Sequence, residues 1–203
     1  VVTGAGKGIG RATALALAVA PAAPAVRAAP LVGRIAIDGR LDEAGWIAAE
    51  PFTSFVTIAP VAGGVPRERT EVRVLLGPRT LYVGIRCEDA TPGGIVRPMG
   101  RRDHPARSDS VAILVDADHD HRTATLFSLT AGGVRSDALV YDDDRVTFEW
   151  DAVWEGAAWV DAAGWTNVPT SNSPAKEMRL RVLDFGTDKY GQNAYIYDST
   201  NDG

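Results

Sequence analysis

Ile37-Asp38-Gly39-Arg40-Leu41-Asp42-Glu43-Ala44-Gly45-Trp46 is the stretch around which the chain is read. Asp38-Gly39 is a tight-turn pair, because glycine tolerates φ > 0 and an aspartate can bond its own backbone. Before it, Ile35 and Ile37 alternate with Ala36 and predict a short strand. After it, Leu41, Ala44 and Trp46 fit about one turn of helix, with Asp42 as the expected N-cap. A strand that turns sharply and delivers a large aromatic ring to a core is the expected local unit.

Working outward, apolar residues alternate along 71–76, where Val72, Val74 and Leu76 share one face, and along 80–87, where Leu81, Val83, Ile85 and Cys87 do. Gly77-Pro78 turns the chain between them, giving a hairpin with one solvated face. Val111, Ile113 and Val115 predict a third strand, 123–130 a fourth, 134–141 a fifth after the Gly132-Gly133 turn, and 146–150 a sixth. Short strands separated by turn signals imply an all-β, antiparallel β-sandwich.

Six runs carry a family resemblance. They are Ile37 to Glu43, Thr70-Glu71-Val72-Arg73-Val74, Leu81-Tyr82-Val83-Gly84, Arg101-Arg102-Asp103, Ser108-Asp109-Ser110-Val111 and Trp150-Asp151-Ala152-Val153-Trp154. Their order and spacing over roughly 34–165 resemble the family-nine type of carbohydrate-binding module. The closer likeness is to the version that begins a group of large secreted bacterial proteins of unassigned activity. The resemblance implies a jelly-roll-like order of strands, an oligosaccharide or polysaccharide as ligand, and a C-terminal partner domain in the parent protein. It also implies a secreted, periplasmic or outer-membrane-associated location.

Bulk properties agree with a soluble domain. At 45% hydrophobic and 23% charged, the 203 residues have the balance of an ordinary globule. The net charge of −5, without a Lys/Arg cluster interleaved with aromatics, argues against nucleic acid as a main partner. The single cysteine, Cys87, excludes an intrachain disulfide and a multi-cysteine metal site. No apolar run has the length of a membrane-spanning helix.

The ends depart from the module, so the expected organisation is 1–33, 34–166 and 167–203. Thr3, Gly4, Gly8 and Gly10 resemble the TGxxxGxG turn that opens a short-chain dehydrogenase. Such a turn needs a parallel sheet behind it and a Tyr-x-x-x-Lys pair, which the chain lacks. The same residues read as a signal peptide: Lys7 and Arg11 as its basic start, 12–20 as a weak apolar run, and Ala23-Pro24-Ala25 and Val26-Arg27-Ala28 as cleavage candidates. An N-terminal helix and a Pro/Ala linker over 20–33 are therefore expected to pack poorly. From Asn167 to Pro174 the composition predicts a polar loop. After it, 176–183 is either the strand that closes the sheet, displaced by an insertion, or, with 191–197, an irregular hairpin resembling the start of a metallo-β-lactamase-like hydrolase.

Residues that could bind a ligand compete with structural roles. Trp46 and Trp154 sit in apolar patterns and are expected core anchors. Characterised family-nine modules hold a sugar chain end between two aromatic rings, and Trp150 and Trp165, near turns or strand ends, are the platform candidates. Arg101, Arg102, Asp103 and Asp109 offer planar donors and acceptor oxygens to sugar hydroxyls, or simply pair with one another. Asp116, Asp118 and Asp120 place carboxylates at alternate positions, as hard ligands for Ca²⁺ would, but equally suit an acidic turn. Structural calcium is what the resemblance implies; spacing alone leaves the choice open. No pair of carboxylates is placed for glycoside hydrolysis, no Gly-x-Ser-x-Gly elbow exists, and no catalytic residue is assigned. An enzyme fragment and a structural sandwich without a sugar ligand are the competing readings.

Overall fold

The computed structural model describes residues 26–57, 62–117, 122–142, 145–171, 179–185 and 194–195, the residues from 171 onward by backbone alone. Among them eleven strands form two sheets. The five-stranded sheet has the order β1 (Ala28–Pro30), β2 (Thr70–Leu76), β3 (Leu81–Glu88), β9 (Gly164–Ser171), β8 (Gly156–Asp161). The six-stranded sheet runs β11 (Ala194–Tyr195), β10 (Arg179–Phe185), β4 (Ser110–Asp116), β5 (Ala124–Thr130), β6 (Arg135–Tyr141), β7 (Arg145–Thr147). Every described strand pairing is antiparallel except the short parallel pairing of β1 with β2.

Alternation places one face of each sheet inward. Register pairs Val72 with Ile85 and Val74 with Val83, and pairs Val111 with Leu129 and Ile113 with Phe127. All eight are buried and belong to one core with Leu81, Cys87, Trp154 and Trp165. Fully burying each aliphatic side chain contributes roughly 1.5–3 kcal/mol.

The opening stretch covers the other face of the five-stranded sheet. Trp46, Ala49, Leu75 and Val168 form a second buried cluster, joined by Ile35, Ile37, Leu41 and Tyr82. Trp46 is 0% exposed, as expected of a core anchor. The sheet has a recess for its ring at Gly84, where a Cβ would lie 2.9 Å from Trp46 Cζ3. Gly39 has φ +86°, and its carbonyl accepts a hydrogen bond from Thr166 Oγ1. The Asp38-Gly39 turn thereby docks on β8 and β9. Helix α1 (Ala44–Ala48) ends against Arg73, whose Nη1 donates to Trp46 O at 2.9 Å and Ala49 O at 2.6 Å. Ala49 O is a carbonyl that the helix end leaves without an intrahelical partner, and Trp46 O also accepts from Ala49 N–H at 3.2 Å.

Several expectations are corrected. No strand spans Ile35 to Ile37; this segment packs by its side chains, and the strand lies earlier, at β1, inside the presumed linker. The N-cap is Glu43, not Asp42, and Glu43 makes no capping bond, because its Oε1 accepts from Ala36 N–H at 2.7 Å instead. Asn167 does not begin a polar loop. Residues 167–171 complete β9, hydrogen-bonded on both sides, so the sandwich does not end at 166. β10 joins β4 over seven residue pairs, as a sheet-closing strand would, and β11 pairs antiparallel with β10, as in the hairpin alternative. The dehydrogenase-like or signal-like stretch, with Gly4, Gly8 and Gly10, lies outside the described residues. Among the described residues no helix is long and apolar enough to cross a membrane.

Candidate functional site

β7 pairs with β6 only from Leu139 to Tyr141, which leaves the edge of β6 near Arg135 and Asp137 without a strand partner. A turn at 101–104 takes its place. Asp103, in a left-handed conformation at φ 60°, donates its N–H to Arg135 O at 3.0 Å, and its Oδ1 accepts from Asp137 N–H at 3.1 Å. Aspartate is among the few residues that adopt this conformation readily.

Segment 148–155 leaves the sheet after β7 and converges on the same edge. Asp137 faces inward beside Phe127 and is 0% exposed. Its Oδ1 accepts from Arg102 Nη2 at 2.6 Å and from Trp154 Nε1 at 3.0 Å, and its Oδ2 accepts from Ala152 N–H at 2.5 Å. Arg102 Nη2 also lies 2.6 Å from Asp151 Oδ1 and donates to Ala152 O at 2.8 Å. Burial pulls the Arg102 guanidinium down, but the bond and charge of Asp137, with Asp151 and Asp103, outweigh it and raise it above its ordinary value. A buried carboxylate meeting a guanidinium and two neutral donors is a fully answered charge, which burial requires.

The rings of this segment divide by role. Trp154 is 4% exposed and packs edge-on to Phe127 with centroids 5.3 Å apart. Trp150 is half-buried, also edge-on to Phe127 at 6.4 Å, and Phe148 is 58% exposed. A half-buried ring and an exposed one thus stand two residues apart on the segment that carries Asp151, the partner of Arg102. Aromatic faces for C–H groups and rigid charged donors and acceptors for hydroxyls are what a sugar contact needs.

The structure brings together Trp150, Arg102 and Asp103 from the predicted set, and Arg101 lies exposed on the same turn. Trp165 is corrected: it is 4% exposed in the main core, opposite Cys87 on the inward face of β9, and presents no ring to solvent. Asp109 lies on another part of the loop. Its Oδ2 accepts from Val96 N–H at 2.7 Å, fixing 96 beside 109. Asp116 is 7% exposed at the end of β4, and Asp118 and Asp120 lie outside the described residues. Among the described residues no group of three or more His, Cys, Asp or Glu side chains could hold a metal ion.

Sequence reasoning missed Asp137, Phe148 and Asp151. A charged residue in mid-strand, at 137, was the signal available. Trp159 is 42% exposed on the outer face of β8, with Arg40 Cζ 3.7 Å from its ring centroid, a cation–π contact that holds the 38–40 turn to the sheet.

Two packed sheets, one sealed outside by a Trp-bearing turn and the other bearing rings and an arginine at its edge, define a β-sandwich. Solved structures place it further. The chain is similar to a family 9 carbohydrate-binding module from Caldicellulosiruptor kristjanssonii in complex with cellotriose, at TM-score 0.58 and 14% identity over 86% of each chain. The glucose complex of a family 9 module from the same organism gives TM-score 0.57 and 15% identity over 86% of this chain and 88% of that one. A presumed carbohydrate-binding protein from Bacteroides uniformis ATCC 8492 gives TM-score 0.67 at 9% identity, over 87% of this chain and 91% of that one. No family model matches the sequence, and no curated protein matches it. The likeness establishes the family-nine-like sandwich fold.

Proposed function

We propose that this domain is a non-catalytic carbohydrate-binding module. The observation that carries the reading is that one segment bears the exposed Phe148, the half-buried Trp150 and Asp151, the partner of Arg102, at one sheet edge. It stands on a fold shared with modules solved with cellotriose and glucose. Rings supply apolar contact to the pyranose C–H face, and Arg102 and Asp151, with Arg101 beside them, orient hydroxyls. The ligand class is an oligosaccharide or the end of a polysaccharide. The parent protein would be secreted, with the module bringing a C-terminal partner domain to its substrate. Structural Ca²⁺ at Asp116, Asp118 and Asp120 belongs to the same proposal, tested by the effect of a chelator on the melting temperature.

Isothermal titration against glucose, cellotriose and xylan fragments tests the binding. Saturable binding that weakens in Phe148→Ala and Trp150→Ala supports the reading. A parent that binds none of these and is blank on a broad glycan array is a structural sandwich instead.

A further inference from the structure

Asp137 ties three separate parts of the chain at one point. It belongs to β6, holds the 101–103 turn through Arg102 Nη2 and its own N–H to Asp103, and holds segment 148–155 through Ala152 N–H and Trp154 Nε1. The turn has one further backbone tie to β6, Asp103 N–H to Arg135 O, and the segment is tied to β9 only at its far end, where Thr170 N–H donates to Glu155 O at 2.8 Å; β7 stops at Thr147. The 148–155 segment also has no described strand structure before Gly156. Its course past Trp150 is set by these bonds, by Arg135 Nη1 donating to Trp154 O at 2.9 Å, by Glu155 N–H donating to Thr170 Oγ1 at 3.3 Å and by the packing of Trp150 and Trp154 on Phe127.

We propose that Asp137 is the positioning residue of the candidate site: from inside the sandwich it fixes the ring-bearing segment and the Arg102 guanidinium in one arrangement before a ligand arrives. The inference rests on the carbohydrate reading above. Its physical basis is pre-organisation. A ligand that must order a loose segment forfeits part of its contact energy, and a segment already ordered leaves that energy available for binding. A neutral amide cannot replace the carboxylate here. Three donors converge on two acceptor oxygens, and an amide would turn its NH₂ toward at least one of them. Asp137 itself touches no ligand.

The test compares Asp137→Asn with the parent chain and with Ile85→Val, a core variant on the opposite sheet that controls for lost stability. Amide hydrogen exchange over 148–155 and titration with cellotriose are read at a temperature where all three are folded. Exchange at Ala152 should rise about tenfold or more in Asp137→Asn and not in Ile85→Val, and affinity should fall by about tenfold in the first alone. If Asp137→Asn does not fold, Trp154→Phe removes one donor while keeping the ring on Phe127, and the same local rise in exchange with weaker binding is expected. A parent that binds and a folded variant that binds equally well overturn this inference alone. So does faster exchange spread over the whole sandwich rather than centred on 148–155. A parent that binds no sugar overturns the carbohydrate reading, and this inference with it.

Discussion

Gly84→Ala tests whether the Trp46 turn seals the five-stranded sheet. At Gly84 a new Cβ would lie 2.6 Å from Leu41 Cδ2, 2.9 Å from Trp46 Cζ3 and 3.1 Å from Trp46 Cε3. The leucine methyl is the free end of a flexible chain and can swing. The indole is rigid and 0% exposed, so relief requires the whole 37–46 turn to lift. Overpacking of this kind costs roughly 1–3 kcal/mol. For a chain of this length that lowers the melting temperature by about 2–4 °C per kcal/mol. Shrinking the ring removes the obstruction. In a Trp46→Leu background Gly84→Ala should cost close to nothing, leaving a coupling of about 1–3 kcal/mol between the two positions. Urea denaturation of the parent, both single variants and the double variant measures this directly, with the m-value checking that the unfolded state is unchanged. Additive effects, within about 0.5 kcal/mol, would mean that Trp46 does not lie over Gly84, and the account of the second core would fail.

Trp165→Ala should cost roughly 3–5 kcal/mol, because its ring fills the main core; a normally melting variant that merely lost sugar binding would restore it as a platform. Phe148→Ala should move stability by no more than about 0.5 kcal/mol while weakening cellotriose binding about tenfold, read by calorimetric melting and titration. Arg86 donates both η nitrogens to Asp161, at 2.7 and 2.9 Å, and this hydrogen bonding holds the Asp161 carboxyl down at about 2. A depressed folded-state value stabilises above the unfolded carboxylate range and loses that effect as pH falls toward 2. Melting of the parent and Asp161→Asn should therefore differ at pH 6 and converge by pH 2. The gap stays small because the pair is partly solvated, and a gap that widened on acidification would contradict the assignment. NAD(H) and NADP(H) should leave the melting temperature unchanged; a saturable shift abolished by Gly8→Ala would revive the dehydrogenase reading of the N-terminus.

Sequence alone determined the features whose cause is local. Alternation at 71–76, 80–87 and 111–115 marked strands and the side that faces the main core, because a strand turns every second side chain to the same face; it did not show that Leu76 is exposed, or that the hairpin's other face, expected to be solvated, is covered by the Trp46 turn through Leu75 and Tyr82. Asp38-Gly39 marked the sharp turn, and the apolar setting of Trp46 marked a buried ring. What sequence left open depended on partners far along the chain. Trp165 resembled an exposed ring until its pairing with Cys87, across 78 positions of sequence, put it on the inner face. Asn167 begins a polar, proline-containing run that suits a loop, but pairing with Ile85 on one side and Ala158 on the other makes it the middle of a strand. Arg102 and Asp103 were legible as a charged turn, but which charge they would meet was not, since Asp137 lies 35 residues beyond Arg102 and faces inward only by its register with Phe127. Short-range periodicity is written in neighbouring residues. The meeting of two sheets, and of a loop with the open edge of one of them, is decided by which strands pair and in what register, and that is fixed only when the whole core closes.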